Sequence, residues 1–206
     1  MGRFLAIHPL NPQQRLIDQA AAILAEGGIL VYPTDTTYGL GCLISNRQGV
    51  ERIIQIKRLP PTHQFSLLCA DLAGISLLAR VDNATYRILK RYLPGPYTFI
   101  LPASREVPKS ILPKRRTIGL RIPDHPICLA LLRACGEPLL STSLQLPGEE
   151  GIMSDPETIR EVMVDRVDLV IDGGPLADQP STMVDLTEGV PRVIRHGAGD
   201  PSDFLP

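Results

Sequence analysis

The stretch Ile29-Leu30-Val31-Tyr32-Pro33-Thr34-Asp35-Thr36-Thr37-Tyr38-Gly39-Leu40-Gly41-Cys42-Leu43-Ile44 decides the fold. Residues 29–32 are apolar or aromatic throughout, the pattern of a short buried strand. Residues 33–41 form a hydroxyl-rich turn with two glycines, and residues 42–44 read as a second strand. A polar, glycine-bearing turn held between two buried strands is a place where a scaffold presents functional side chains.

Toward the N-terminus, Leu16, Ile17, Ala20, Ile23 and Leu24 recur at helical spacing. Asn11-Pro12 offers an N-cap with proline at the first helical position, Gly27-Gly28 offers a left-handed stop, and residues 3–8 alternate as a strand. In the other direction, Val50, Ile53, Ile54 and Ile56 predict a helix over 47–57, and 65–69 reads as a buried strand. The basic loop Lys57-Arg58-Leu59-Pro60-Pro61 lies between them. Asp71 and Asp82 each cap a helix, over 71–79 and 82–93, and Pro94-Gly95-Pro96 ends the second. Strands follow at 97–102, 117–122 and 138–143, with a helix over 126–135. A helix over 154–164, with Pro156 and Glu157 in its first turn, precedes strands at 167–171, 182–186 and 192–195. Strands alternate with helices and then close the chain without them. The pattern predicts one α/β domain over residues 1–206, core about 10–198, as an open twisted mixed sheet flanked by helices. There is no repeat or long linker, and residues 145–155, polar and glycine-bearing, are the candidate mobile loop.

At 206 residues and 44% hydrophobic composition, the chain suffices for one well-buried core. No apolar run approaches a membrane span, and Met1-Gly2-Arg3-Phe4-Leu5 lacks a signal peptide's apolar stretch, so the expected location is the cytoplasm. Cys42, Cys69, Cys128 and Cys135 form no CxxC pair and sit among apolar neighbours, which favours reduced core thiols over zinc or disulfides. Without tryptophan, and with nine other aromatics, a stacking platform for single-stranded nucleic acid is thinly supplied.

The net charge of −1 conceals a polar distribution. Residues 1–148 carry 17 basic and 9 acidic side chains, whereas 149–188 carry 2 basic and 11 acidic. Seventeen of the 21 basic residues are arginine, whose planar fork suits phosphate and carboxylate, so an anionic ligand is expected. There is no Walker A sequence, no GxGxxG after a strand and no HExxH, which excludes the ordinary P-loop, dinucleotide and zincin signatures. What remains is a dispersed set of hydroxyl and basic side chains at strand ends, which makes sense only if folding gathers it.

Separated segments, in order along the chain, carry a resemblance. Residues 33–41 resemble a PT(E/D)TxYGLG opening, Pro94-Gly95-Pro96-Tyr97-Thr98 a PGPxT element, and residues 117–126 a TxxxRxPxHP element. Pro138-Leu139-Leu140-Ser141-Thr142-Ser143 then precedes Ser181-Thr182-Met183-Val184-Asp185-Leu186 and Arg192-Val193-Ile194-Arg195-His196-Gly197, similar to closing STxxDxT and RxG segments. Together these are similar to the YrdC/YciO family of threonylcarbamoyl-AMP synthase-like proteins, across nearly the whole chain. The resemblance implies a positive cavity in an α/β sheet and a nucleotidyltransferase that joins threonine, bicarbonate and ATP, accompanied by Mg²⁺, into threonylcarbamoyl-AMP plus pyrophosphate. It also implies a place in tRNA threonylcarbamoyladenosine synthesis, and contact with tRNA or double-stranded RNA.

Carried over residue by residue, the resemblance implies catalytic roles for Lys57 and Ser143. It implies nucleotide contacts from Lys57, Arg58, His63, Thr117, Ser141, Ser143, Gln145 and Arg195, and contacts to the amino acid from Thr36, Arg121 and Ser181. No protein metal ligand is expected. His125 is expected to pack or to cap the following helix rather than act as acid or base. Three positions depart from the family pattern. Its K-x-R element reads Lys57-Arg58-Leu59, its S-x-N element reads Ser143-Leu144-Gln145, and Leu68 replaces a histidine. These departures, with Asn11-Pro12-Gln13-Gln14-Arg15, bring the chain nearest the YciO-like branch. An ATP-dependent synthase of weak activity, for threonine or a related amino acid, therefore stands beside a binding-only alternative that holds RNA through Lys109, Lys114, Arg115, Arg116 and Arg121.

Overall fold

A computed structural model describes residues 2–60, 63–149 and 151–205. Met1, Pro61 of the basic loop and Glu150 of the loop after Gln145 lie outside the described residues. The strands are β1 (Arg3–Ala6), β2 (Leu30–Tyr32), β3 (Gly39–Leu43), β4 (Ser66–Leu68), β5 (Tyr97–Pro102), β6 (Thr117–Arg121), β7 (Leu139–Ser143), β8 (Leu169–Asp172), β9 (Thr182–Asp185) and β10 (Arg192–Arg195). The helices are α1 (Gln14–Ala25), α2 (Arg47–Lys57), α3 (Leu72–Leu78), α4 (Asn83–Tyr92), α5 (Pro126–Cys135) and α6 (Pro156–Met163).

All ten strands join one mixed, open sheet in the order β1-β8-β2-β3-β7-β4-β6-β5-β9-β10. The functional-looking turn links β2 and β3, an antiparallel pair with Tyr32 opposite Gly39. α1 and α5 pack on one face, with Ile17 and Leu24 of α1 and Ile127 and Leu131 of α5 against Leu30, Tyr32, Leu139 and Leu169. The opposite face carries the larger core, where Ile53 of α2, Ile75 of α3, Leu89 of α4 and Ile159 of α6 join Val31, Leu40, Leu67, Phe99 and Val170. Each such side chain contributes about 1.5–3 kcal/mol by leaving water. The packed core also takes in Ile7 and Phe204, beyond the span 10–198.

Local chemistry sets the helix ends. Asp71, Asp82 and Asp155 each accept the backbone N–H three residues on, satisfying an amide that the helix leaves without a partner. Asn46 accepts from Gly49 N–H and donates to the Gly27 carbonyl, tying the start of α2 to the left-handed Gly27 that follows α1. At the N-terminus the structure corrects the sequence expectation. Helix α1 begins at Gln14 rather than after Asn11-Pro12, and β1 ends at Ala6 rather than residue 8. The reason is local: His8 Nδ1 accepts from the amides of Leu10 and Asn11, and Gln13 Oε1 accepts from the amide of His8, which folds residues 8–13 into a turn.

Close approach of backbone explains Gly41. A Cβ added there would lie 2.4 Å from the Leu140 carbonyl oxygen and 2.7 Å from the Tyr32 hydroxyl. Gly41→Ala is therefore expected to lower the unfolding free energy by about 1–3 kcal/mol in a urea titration. A loss below about 0.5 kcal/mol would show that β3 and β7 separate freely, against this account.

Candidate functional site

Cross-strand partners share a face of a sheet, so the pairing register states which side chains meet. Tyr32, Gly39 and Ser143 form one row across β2, β3 and β7. Gly41, Ser141, Ser66 and Gly119 form the next, across β3, β7, β4 and β6. Leu68 stands opposite Arg121, and Thr98 opposite Met183. Beyond the end covered by α1 and α5, this face turns from apolar to hydroxyl-bearing, with Gly39 and Gly119 where a side chain would fill the floor. A Cβ at Gly119 would come within 2.9 Å of Ser66 Oγ and 3.1 Å of Thr98 Cγ2.

A cavity of about 130 Å³ opens there, lined by Thr34, Thr37, Tyr38, Gly39, His63, Gln64, Ser66, Leu68, Thr98, Arg121, Ser141, Thr142, Ser143, Pro180, Ser181, Met183 and Arg195. Six of the residues singled out from sequence thus converge from five parts of the chain: His63, Arg121, Ser141, Ser143, Ser181 and Arg195. Lys57 stands behind the wall, donating from its ammonium to Thr142 Oγ1 at 3.0 Å and to the Ser143 carbonyl. Thr36 is buried within the turn. Its hydroxyl accepts from Arg121 Nη1 at 2.9 Å and contacts Thr34 Oγ1, which itself donates to the Thr37 carbonyl. Thr34 Oγ1 also accepts from the amides of Thr36 and Thr37, which closes the turn on itself, and Thr36, outside the cavity lining, braces Arg121.

Arg58, Thr117 and Gln145 are not brought to the cavity wall. Arg58 sits at the end of α2 in the left-handed conformation with its side chain exposed. Thr117 begins β6 opposite Pro102, and Gln145 lies exposed past the end of β7. His125 occupies the N-cap position of α5 without a side-chain capping bond, and it is buried with Nδ1 lacking a partner among the described residues. Its pKa is lowered by burial, although Asp35 and Asp124 act in the opposite sense.

The electrostatics favour an anion. Arg121 Nη2 meets Asp35 Oδ1 at 2.5 Å, with both side chains about nine-tenths buried. Arg195 has no carboxylate partner among the described residues: Nε and Nη2 donate to the Ser181 carbonyl at 3.0 and 2.8 Å, and Nη2 also reaches Ser181 Oγ at 3.1 Å. Burial, and next the neighbouring Arg121, lower the Arg195 pKa. Burial brings the Lys57 ammonium down to about 8. His63 is also lowered, by burial and then by Lys57, which keeps it neutral near pH 7. Three cations therefore face one carboxylate, and an unbalanced positive charge in a low-dielectric wall attracts anionic ligands.

His63 also lines a second, apolar cavity of about 310 Å³ with Val50, Ile54, Leu59, Pro60, Phe65, Ser110, Ile111, Leu112 and Pro113. The smaller cavity falls below the roughly 300 Å³ at which small-molecule pockets begin, and His63 is the residue that the two linings share. Thr34, Ser66, Thr98 and Met183 of the lining, and Asp35 beside Arg121, carry no mark in the sequence as site residues. Period-two spacing from Ser66 to Leu68 and from Ser141 to Ser143 was the available signal, but it required knowing which strands are neighbours. Among the described residues, no three His, Cys, Asp or Glu side chains gather as a metal site, and no helix is long and apolar enough to cross a membrane.

Fold and site together define a single-domain α/β protein, an open mixed sheet with a hydroxyl-lined, cationic cavity on one face. The chain belongs to the Sua5/YciO/YrdC family, whose model, described as "Telomere recombination", matches residues 22–197. It is 52% identical over 206 residues to "Uncharacterized protein YciO" of Escherichia coli strain K12, covering all of both chains. The crystal structure of E. coli YciO superposes with a TM-score of 0.95 at 51% identity, again over all of both chains. A "Threonylcarbamoyl-AMP synthase" of Chromobacterium violaceum is 35% identical over 189 residues, covering 91% of this chain and 96% of that protein. P. abyssi Sua5, solved complexed with L-threonine, matches with a TM-score of 0.90 at 28% identity, covering 97% of this chain and 59% of that one.

Removing one member of a buried pair leaves the other charge uncompensated. Asp35→Ala is expected to cost about 3–5 kcal/mol of stability in urea, whereas Glu51→Ala, which breaks the exposed Arg47–Glu51 pair, costs at most about 0.5 kcal/mol. Equal costs would mean that solvent screens the Arg121–Asp35 contact.

Proposed function

We propose that the chain is an ATP-dependent synthase of threonylcarbamoyl-AMP, acting on threonine or a related amino acid and serving tRNA threonylcarbamoyladenosine synthesis. The observation that carries it is the gathering of Arg121, Ser141, Ser143, Ser181 and Arg195 on one cavity with excess positive charge. The relatives named threonylcarbamoyl-AMP synthase support the same reading. Threonine's amine and bicarbonate form a carbamate with loss of water. A carbamate oxygen then bonds to the α-phosphorus of ATP, the bond from that phosphorus to the bridging oxygen breaks, and pyrophosphate leaves. Charge moves across phosphate oxygens throughout, so fixed donors and cations are the protein's main contribution.

The residues divide along the cavity. Arg121, braced by Asp35 and Thr36, offers its guanidinium to the amino acid, with Ser181 beside it. Arg195 and Lys57 supply charge for phosphates, and Ser143 supplies a hydroxyl at the strand end that Lys57 holds. The apolar slot beside His63 suits the flat base of the nucleotide. Mg²⁺ neutralises phosphate charge when bound. It commonly travels on nucleotide phosphates and keeps several waters, so the scattered carboxylates here fit an ion brought by ATP.

A second reading, contact with RNA, is favoured by Lys109, Lys114, Arg115 and Arg116, which are exposed and in no ion pair among the described residues. Arg121 drops out of that group because it is buried in the cavity.

Pyrophosphate release from ATP, Mg²⁺, bicarbonate and threonine tests the synthesis. Lys57→Ala is expected to lower it by a factor of about 10² to 10³, and wild-type release no greater than that of the variant would dismiss the activity. Because Lys57 is charged below its pKa of about 8, ATP affinity should hold at lower pH and fall as pH rises past that value, while Lys57→Ala loses this dependence. For RNA, neutralising four phosphates predicts a log–log salt slope of about −3 to −4, and a flat response would reject the contact.

A further inference from the structure

Tyr32 lies under the cavity floor, outside the lining, and is fully buried. Its side chain crosses β3 over two glycines. A Cβ at Gly39 would lie 3.0 Å from the Tyr32 ring, and one at Gly41 would lie 2.7 Å from its hydroxyl. Those two absent side chains let the phenol reach past β3 to β7, where it donates to Ser141 Oγ at 2.7 Å. Burial raises the phenol's pKa well above the ordinary range, so the donor proton stays in place at any physiological pH.

A phenol carries one proton and a serine hydroxyl one more. Once the Tyr32 proton occupies a lone pair of Ser141 Oγ, the proton of Ser141 must go elsewhere. Ser141 Oγ has no second protein partner among the described residues, and the residue lines the cavity. The hydroxyl therefore serves as a donor into the cavity, strengthened by the bond it accepts from behind. The other wall repeats the pattern. Arg195 donates to Ser181 Oγ, and the Ser181–Thr98 pair shares one proton at 2.8 Å, which leaves one hydroxyl proton over. A wall of hydroxyls biased toward donation matches an oxygen that only accepts.

We infer that Tyr32 is a positioning residue that, through Ser141, fixes one cavity hydroxyl as a donor to an anionic ligand oxygen, either the carboxylate of the amino acid or a phosphate of the nucleotide. The inference rests on the proposed function for the identity of those ligands.

Calorimetric titration with L-threonine and with ATP–Mg²⁺, each on wild type, Tyr32→Phe, Ser141→Ala and the double variant, tests it. Tyr32→Phe removes a single oxygen and is expected to weaken one of the two ligands by about tenfold, leaving the other within about twofold. Whichever ligand weakens identifies the oxygen. Because Tyr32 acts through Ser141, the double variant should bind like Ser141→Ala alone. Additive losses, equal weakening of both ligands alongside a lowered Tm, or no change in either would overturn the inference while leaving the proposed function intact. A wild type that binds neither ligand overturns both. Should Tyr32→Phe fail to fold, the tyrosine hydroxyl proton of the wild type, shielded from exchange by burial, is followed by NMR: a shift on saturation with threonine or ATP is expected, and an unmoved resonance refutes the role.

Discussion

One buried ion pair joins the two halves of the site. Asp35 comes from the turn after β2 and Arg121 from the end of β6, four places away in the sheet order, and their contact closes the turn over the sheet. Burial makes such a pair costly on its own, since both ions leave water. Thr36 offsets part of that cost by accepting a second guanidinium N–H, yet Arg121 Nε and Asp35 Oδ2 remain buried without partners among the described residues. A group left unsatisfied in this way is a poor investment in stability, and its location at a cavity wall points to function as the reason it persists.

That pair also organises the charge. Asp35 compensates Arg121, so the excess positive charge resides on Arg195 and on Lys57 behind β7. Hydroxyls rather than carboxylates complete the wall, and neutral donors stabilise an anion without cancelling the field that attracts it. The glycines of β3 and β6 keep the floor low enough for this arrangement, because side chains at Gly39 and Gly119 would press on Tyr32, Ser141, Ser66 and Thr98.

Much of this was legible in the sequence because the helices and strands obey local rules. Asp71 and Asp82 cap the helices they announce, and α2, α5 and β5 run as their apolar periodicity predicts. The entry to α1 was not legible, since a bond from the His8 ring outcompeted the Asn11-Pro12 signal. Site residues on the matched segments converge where period-two alternation aims them at one face. Three do not: Arg58 turns outward at the left-handed end of α2, Gln145 lies exposed past β7, and Thr117 stands at the opposite end of β6 from Arg121, beside Pro102. Asp35, Ser66 and Thr98 depend on which strands become neighbours, and a crossover order such as β7-β4-β6-β5 has no local signature.

The departure at Leu59 takes on physical meaning from this geometry. Leu59 is a wall of the apolar slot beside His63, packed with Pro60 and Phe65, and Arg58 turns outward at the left-handed end of α2. The slot is thereby more apolar, while the end of α2 aims one cation fewer at the cavity. The burden passes to Arg195, whose guanidinium stays charged at all relevant pH, and to Lys57, whose ammonium burial has brought to about 8. An arginine in place of that lysine would keep its charge across the physiological pH range. Reliance on a buried lysine makes the charge of the site conditional on the proton concentration around it.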